Sequence, residues 1–98
     1  MRFEWDQNKN ELNKIKHGIR FEQVLDIFFD EGMIMRYDWL HSVCGDERFI
    51  AIGRITQDHF ATVVFQEKED SIRIISARKS SSSERKEYYD QNIRHSVS

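Results

Sequence analysis

The chain has one cysteine, no apolar run of membrane-spanning length, and no hydrophobic core behind its start, Met1-Arg2-Phe3-Glu4-Trp5-Asp6. Cys44 alone makes no internal disulfide and gives no metal-ligand spacing. With neither a span nor a signal core, the reading is a cytoplasmic-type protein with no membrane partner. Metal patterns are missing as well: four histidines are scattered, and no Asp or Glu stands four residues from one of them. There is no Gly-rich phosphate loop, and the serines at 80–83 lack the glycine-flanked setting of a nucleophile. The chemistry left open is metal-free and needs no cofactor.

What is present suits one domain over residues 1–98. At 39% hydrophobic, 33% charged and 12% aromatic, the chain has the composition of a folded protein. A chain of this size buries roughly 60–68% of the surface its unfolded form exposes, enough for a core of its own. The net charge of −2 argues against a partner rich in phosphate until it is divided along the chain. Residues 1–70 hold nine Lys/Arg against fourteen Asp/Glu, a balance of −5; residues 71–98 hold six against three, a balance of +3. The cations Arg73, Arg78, Lys79, Arg85 and Lys86 crowd the C-terminal part, and antiparallel pairing can add Arg48 and Arg54. Such a patch fits a local phosphate site, and equally a solvated surface or an acidic docking partner.

The order of elements is α+β. After a short strand-like start at Arg2 to Trp5, Asp6 caps a helix that runs to about His17, with Leu12 and Ile15 as its apolar stripe and Gly18 as its stop. A second helix, from about Phe21 to Asp30, carries Phe21, Val24, Leu25, Phe28 and Phe29 at the spacing of one buried face. Its cap position holds Arg20, which accepts no amide bond, so its start should be weak. Four strands follow, Met33 to Trp39, Glu47 to Arg54, Phe60 to Glu67 and Ser71 to Arg78, joined by links too short for parallel crossovers. They predict a four-stranded antiparallel meander whose two faces are both apolar, so something must cover each. Ser81 and Glu84 have capping-box spacing for a last helix to about Asp90, and residues 92–98 are expected to fray.

The reaction suited to arginines and a few proton carriers is RNA cleavage by the neighbouring 2′-hydroxyl, because the substrate then brings its own nucleophile. The protein takes one proton, steadies the phosphate charge and returns a proton to the leaving oxygen. Acid or base assistance is worth about 10²- to 10⁴-fold, and one charge-stabilising donor about 2.7–4 kcal/mol. Composition alone does not separate cleavage from RNA binding.

Phe3-Glu4-Trp5-Asp6, then Lys9, Asn13, Lys16-His17-Gly18 and Phe21-Glu22, resembles the start of the BrnT toxin family. Glu47-Arg48-Phe49, Gly53-Arg54, Arg73-Ile74-Ile75-Ser76-Ala77-Arg78, Glu84-Arg85 and Tyr88 continue the resemblance in order, over about residues 3–89. It implies a RelE-like fold and a metal-free ribonuclease toxin of a type II toxin–antitoxin pair. It also implies a ribbon-helix-helix antitoxin, BrnA, whose dimer binds operator DNA, so that DNA is met only through the antitoxin.

With the motif in view, His17, Glu47, Arg48 and Arg78 are the catalytic candidates, and Lys16, Arg54, Lys79 and Tyr88 the substrate-binding ones. Each has a plain structural alternative. His17 and Lys16 also complement a helix C-terminus. Arg48 and Arg54 share a strand face with Ile50 and Ile52 and can simply reach solvent. Arg78 ends the last strand just before the capped helix, where an anion would meet both. Glu47 can serve as base or can orient Arg48, and Tyr88 can stack a base or pack on the sheet. The reading is an RNA endonuclease toxin. Its rivals are a catalytically inactive module that docks an antitoxin, and a nucleic-acid binder acting by occupancy.

Overall fold

The computed structural model describes the backbone of residues 1–97 and the side chains of residues 1–94. In chain order it holds strand β1 (Arg2–Glu4), helix α1 (Gln7–His17), a 3₁₀ helix (Phe21–Phe29), strands β2 (Ile34–Tyr37), β3 (Phe49–Thr56), β4 (His59–Glu67) and β5 (Ser71–Lys79), and helix α2 (Ser82–Val97). The expected four-stranded meander is a five-stranded mixed sheet of order β1-β5-β4-β3-β2. β2 to β5 pair antiparallel as expected, while β1 adds to the outer edge of β5 in parallel, Arg2 opposite Ser71 and Glu4 opposite Arg73. The intervening chain is long enough to permit that one parallel pairing.

α1 starts and stops where the sequence says. Asp6 accepts from the amides of Asn8 and Lys9 at 2.8 and 3.3 Å, and Gly18 turns the chain at φ +73°. Its buried side is not the expected one. Leu12 and Ile15 are 56% and 80% exposed, while Asn10 and Asn13 are buried. Asn13 donates to the carbonyls of Ala77 (2.7 Å) and Ile19 (2.9 Å) and accepts from the Ala77 amide at 3.1 Å. One side chain thus does for β5 at Ala77 what a neighbouring strand would do, beyond the end of β1. Asn10 accepts from the Phe21 amide at 2.7 Å and donates to Glu22 at 2.6 Å. That bond, with the Arg20 amide donating to Gln23 Oε1 at 2.7 Å, supplies the cap that Arg20 lacks.

The second helix is a 3₁₀ helix, and its period is three. Phe21, Val24 and Ile27 are fully buried, as side chains three apart in a 3₁₀ helix eclipse one another. Leu25 and Phe28 pack at the margin, and Phe29, read as core, is exposed. The tight helix approaches β3 so closely that a Cβ at Gly53 would sit 2.8 Å from Ile27 Cβ. Together α1 and this helix close one sheet face over Ala51, Ala61, Val63, Phe65, Ile74 and Ala77.

α2 meets the opposite face. Tyr88 packs with Ile52, Phe60 and Ile34 and donates its hydroxyl to Asp30 at 2.8 Å. Asp30 also accepts from the amides of Arg54 (2.8 Å) and Gly32 (2.9 Å), joining the 3₁₀ exit, β3 and α2. The helix passes the expected end at Asp90 and runs to Val97, because Asn92 donates to the Gly32 carbonyl at 2.9 Å and ties the following turn down. Ser98 lies outside the described residues. Among the described residues, no helix is long and apolar enough to cross a membrane.

Candidate functional site

α2 covers only part of its face. Strand alternation puts Ile50, Val64 and Ser76, which lie opposite one another across β3, β4 and β5, on the same side as Ile52 and Tyr88, and all three are half-buried. The unpaired residue of a β-bulge at Ile75 adjoins them: Val64 faces Ser76 while Phe65 faces Ile74. Four arginines rim this open patch. Arg36 lies opposite Ile50, Arg78 opposite Thr62 and Arg73 opposite Gln66, and Arg48 stands two residues before Ile50.

The four differ in how far their charge is already used. Arg36 pairs with Glu87 at 3.2 Å and Arg73 with Glu4 at 3.0 Å. Arg78 is gripped from both sides, its Nη1 and Nη2 each donating at 2.7 Å to one oxygen of Glu84. Glu84 is buried and also accepts from the Ser81 amide at 2.7 Å, while its own amide donates to Ser81 Oγ, completing the expected capping box. Burial acts to raise the Glu84 pKa, but the bonds from Arg78 and Ser81 outweigh it and bring it to about 2. The same carboxylate holds Arg78 more firmly protonated than usual. Arg48 has only a 3.5 Å contact with Asp46, and its Nε is the one buried side-chain donor among the described residues without a hydrogen-bond partner. An orphaned guanidinium nitrogen at the rim of an open cationic face is a group in want of an acceptor.

The other sequence candidates fall into three settings. Arg54 and Tyr88 sit in one aromatic cluster: the half-buried Arg54 guanidinium lies 4.9–5.6 Å from the ring centres of Phe60, Tyr88 and Tyr89, and Tyr88 is 4% exposed. A ring so enclosed stacks no base, and this corrects its reading as a substrate contact. Burial and the Asp30 carboxylate raise its hydroxyl pKa. Glu47 is exposed beside Arg48 and accepts from the Tyr37 hydroxyl at 3.3 Å. Lys16 and His17 end α1, just before Gly18, and Gly18 and Lys79 both line a cleft of about 380 Å³ at the far end of β5. The eight candidates therefore do not converge on one point. Glu47 and Arg48 sit at one end of the open face, Arg78 at the other, and Lys16, His17 and Lys79 on the far side of the sheet's end.

Sequence reasoning passed over Arg36, whose place opposite Ile50 depends on the β2–β3 register. It also passed over His59, which lines the same cleft with its Nδ1 2.9 Å from Thr56 Oγ1. Both are invisible before pairing is known. Among the described residues, no group of three or more His, Cys, Asp or Glu is placed to hold a metal ion.

A five-stranded sheet closed on one side and arginine-rimmed on the other defines a small α+β protein with a cationic sheet face. Within that class, residues 5–84 match the family model described as the ribonuclease toxin BrnT of type II toxin–antitoxin systems, and the chain belongs to that family. Such a toxin acts on RNA and has an antitoxin partner. The fold is similar to the crystal structure of the Brucella abortus ribonuclease toxin BrnT, with a TM-score of 0.62 and 24% identity over 83% of this chain and 97% of that one. No curated protein matches.

Proposed function

We propose that this chain is an endoribonuclease toxin that cleaves RNA without a metal, by attack of a 2′-hydroxyl on the adjacent phosphate. The observation that carries the reading is the half-covered sheet face with the unpartnered Arg48 Nε at its rim. Arg48 and Arg78 lie roughly 13 Å apart along the strands and about 10 Å across them, so Arg48 is assigned the cleaved phosphate and Arg78 a phosphate further along the same strand. In the proposed step the 2′-oxygen bonds to phosphorus and loses its proton to a base, while the 5′-oxygen leaves with a proton. Glu47, next to Arg48, is the proton carrier this placement favours, and His17, beyond the other end of β5, is the alternative for a cut at Arg78. Lys16 and Lys79 extend the cationic path around the strand end. The antitoxin assigned is a BrnA-like ribbon-helix-helix protein, which touches DNA on the toxin's behalf.

The complete engagement of Arg78 by Glu84 favours a second reading, a catalytically inactive module that docks the antitoxin. Inducible expression alone and with the neighbouring gene's product, followed by mapping of RNA ends, separates the two. The toxin reading expects new 5′ ends and growth arrest, both abolished by the neighbour and by Arg48→Ala. Cleavage by purified protein should persist in chelator. Loss in chelator with recovery on adding a divalent ion would remove the metal-free step, and intact RNA throughout would leave the docking module.

A further inference from the structure

The cleft at the end of β5 lies outside the open sheet face. It opens between the exit of α1, the β3–β4 turn and the β5–α2 junction. Its volume of about 380 Å³ falls within the roughly 300–1,000 Å³ of small-molecule sites. Its walls are of two kinds. The half-buried Ile55, backed by the buried core residue Ile19, gives an apolar side, and His59, Lys79 and Arg85 give three nitrogen donors. Arg85 is steadied by donating to the Ser80 carbonyl at 3.3 Å, and His59 by its contact with Thr56. Gln23 also lines the cleft with its Oε1 held by the Arg20 amide, which leaves the amide NH₂ as the end suited to a base edge. Asp58 on the turn is the acidic group at the rim.

The position matters as much as the lining. Lys79 pairs with Ala61 and Arg78 with Thr62, so strand alternation turns these neighbours to opposite faces of the sheet. A polyanion held at Arg78 on the open face and crossing the end of β5 meets Lys79 within one residue. Apolar wall, phosphate donors and this adjacency together describe a mononucleotide unit better than an inorganic anion, which would leave the exposed part of Ile55 uncovered.

We propose that this cleft is a nucleotide subsite, with phosphate on Lys79, Arg85 and His59 and base against Ile55, and that it takes a nucleotide of the cleaved strand beyond Arg78. The placement on the cleaved strand rests on the ribonuclease reading; the binding does not. The test is an NMR titration of the whole chain with the four nucleoside 3′,5′-bisphosphates and with inorganic phosphate, none of which can be cleaved. The bisphosphates should move the Ile19, Ile55 and Lys79 amide signals. Their dissociation constants should rise about tenfold in Lys79→Ala and again in Arg85→Ala, both solvent-exposed positions whose loss leaves the fold intact. Inorganic phosphate should bind far more weakly.

Signals that move only on the open face, or Kd values unchanged in both variants, would overturn the subsite, and equal binding of inorganic phosphate would overturn its base contact. RNA-end mapping with the same variants is the second readout, and a changed base preference a few nucleotides from the cut is the expected result. Wild-type cleavage with no bisphosphate at the cleft leaves the ribonuclease reading standing and removes this one. Bisphosphate bound at the cleft with no RNA cut does the reverse, keeping the nucleotide site and discarding its place on a cleaved strand.

Discussion

The two faces of the sheet are finished in different ways. One is sealed: the 3₁₀ helix lays Phe21, Val24 and Ile27 on β3 to β5, and α1 is tied to β5 by Asn13 and to the 3₁₀ start by Asn10. The other is half sealed, by Tyr88 and its neighbours, and the remainder is left to Ile50, Val64 and Ser76 inside a ring of arginines. On the sealed face every polar group that is buried works for the fold. On the open face one buried donor, Arg48 Nε, has no such work. The contrast separates residues the fold needs from those it merely carries, and substitutions ordered by their effect on stability test it.

The largest loss is expected at Asn13. Asn13→Leu keeps the branched shape but strands the Ala77 amide and the Ala77 and Ile19 carbonyls, at about 1–3 kcal/mol for each buried group, so a total near 3–5 kcal/mol is expected in denaturant melts. Leu12→Ser and Ile15→Ser on the same helix should stay within about 0.5 kcal/mol. Equal losses at all three positions would mean that α1 docks through its apolar side after all.

Next comes Glu84, where the half-open face is pinned. Glu84→Gln removes the charge that Arg78 and the α2 cap share, at about 2–3 kcal/mol near neutral pH. Its folded pKa of about 2 lies below the ordinary 4.5, so this contribution is complete above pH 4.5 and fades as the pH falls toward 2. Wild type and Glu84→Gln should therefore converge in stability across that acid range. A constant gap would assign the loss to packing instead.

Gly53→Ala should cost about 1–3 kcal/mol by overpacking, since its methyl meets Ile27 Cβ at 2.8 Å and the Ile27 carbonyl at 3.2 Å. Removing that Cβ with Ile27→Gly in the same chain should make the combined loss smaller than the sum of the two single losses. Strict additivity in a double-mutant cycle would argue against the close approach.

These positions also show what could be read beforehand. Asp6, Gly18 and the Ser81–Glu84 box were legible because caps depend on a few neighbours in sequence. Asn10 and Asn13 were not, because an asparagine between charged residues reads as solvent-facing until Ala77, 64 positions on, is placed beside it. The 3₁₀ period was hidden because Phe21, Val24 and Phe28 fit an α-helical stripe as well as Phe21, Val24 and Ile27 fit a three-residue one. Arg78 and Arg48 were both visible as cations. Their opposite states were not, since partnership with Glu84 and orphanhood at the rim are properties of the folded sheet.

The smallest effect on stability is expected at Arg48, and there the functional effect should be greatest. Its Nε is buried without a partner, a condition that costs about 1–3 kcal/mol, and Arg48→Leu relieves it while keeping most of the stem's apolar contact. Because Leu fills less of the space, the two changes offset, and the melting midpoint should move little. RNA affinity should not be spared in the same way. Loss of one phosphate contact lowers the slope of log K against log salt by about 0.7 for a single strand, and loss of a preorganised donor at the reacting phosphate costs cleavage about 10²–10³-fold. A stable Arg48→Leu protein with intact cleavage and an unchanged salt slope would show that the orphaned nitrogen answers to neither fold nor RNA, and the distinction between the two faces would then rest on coverage alone.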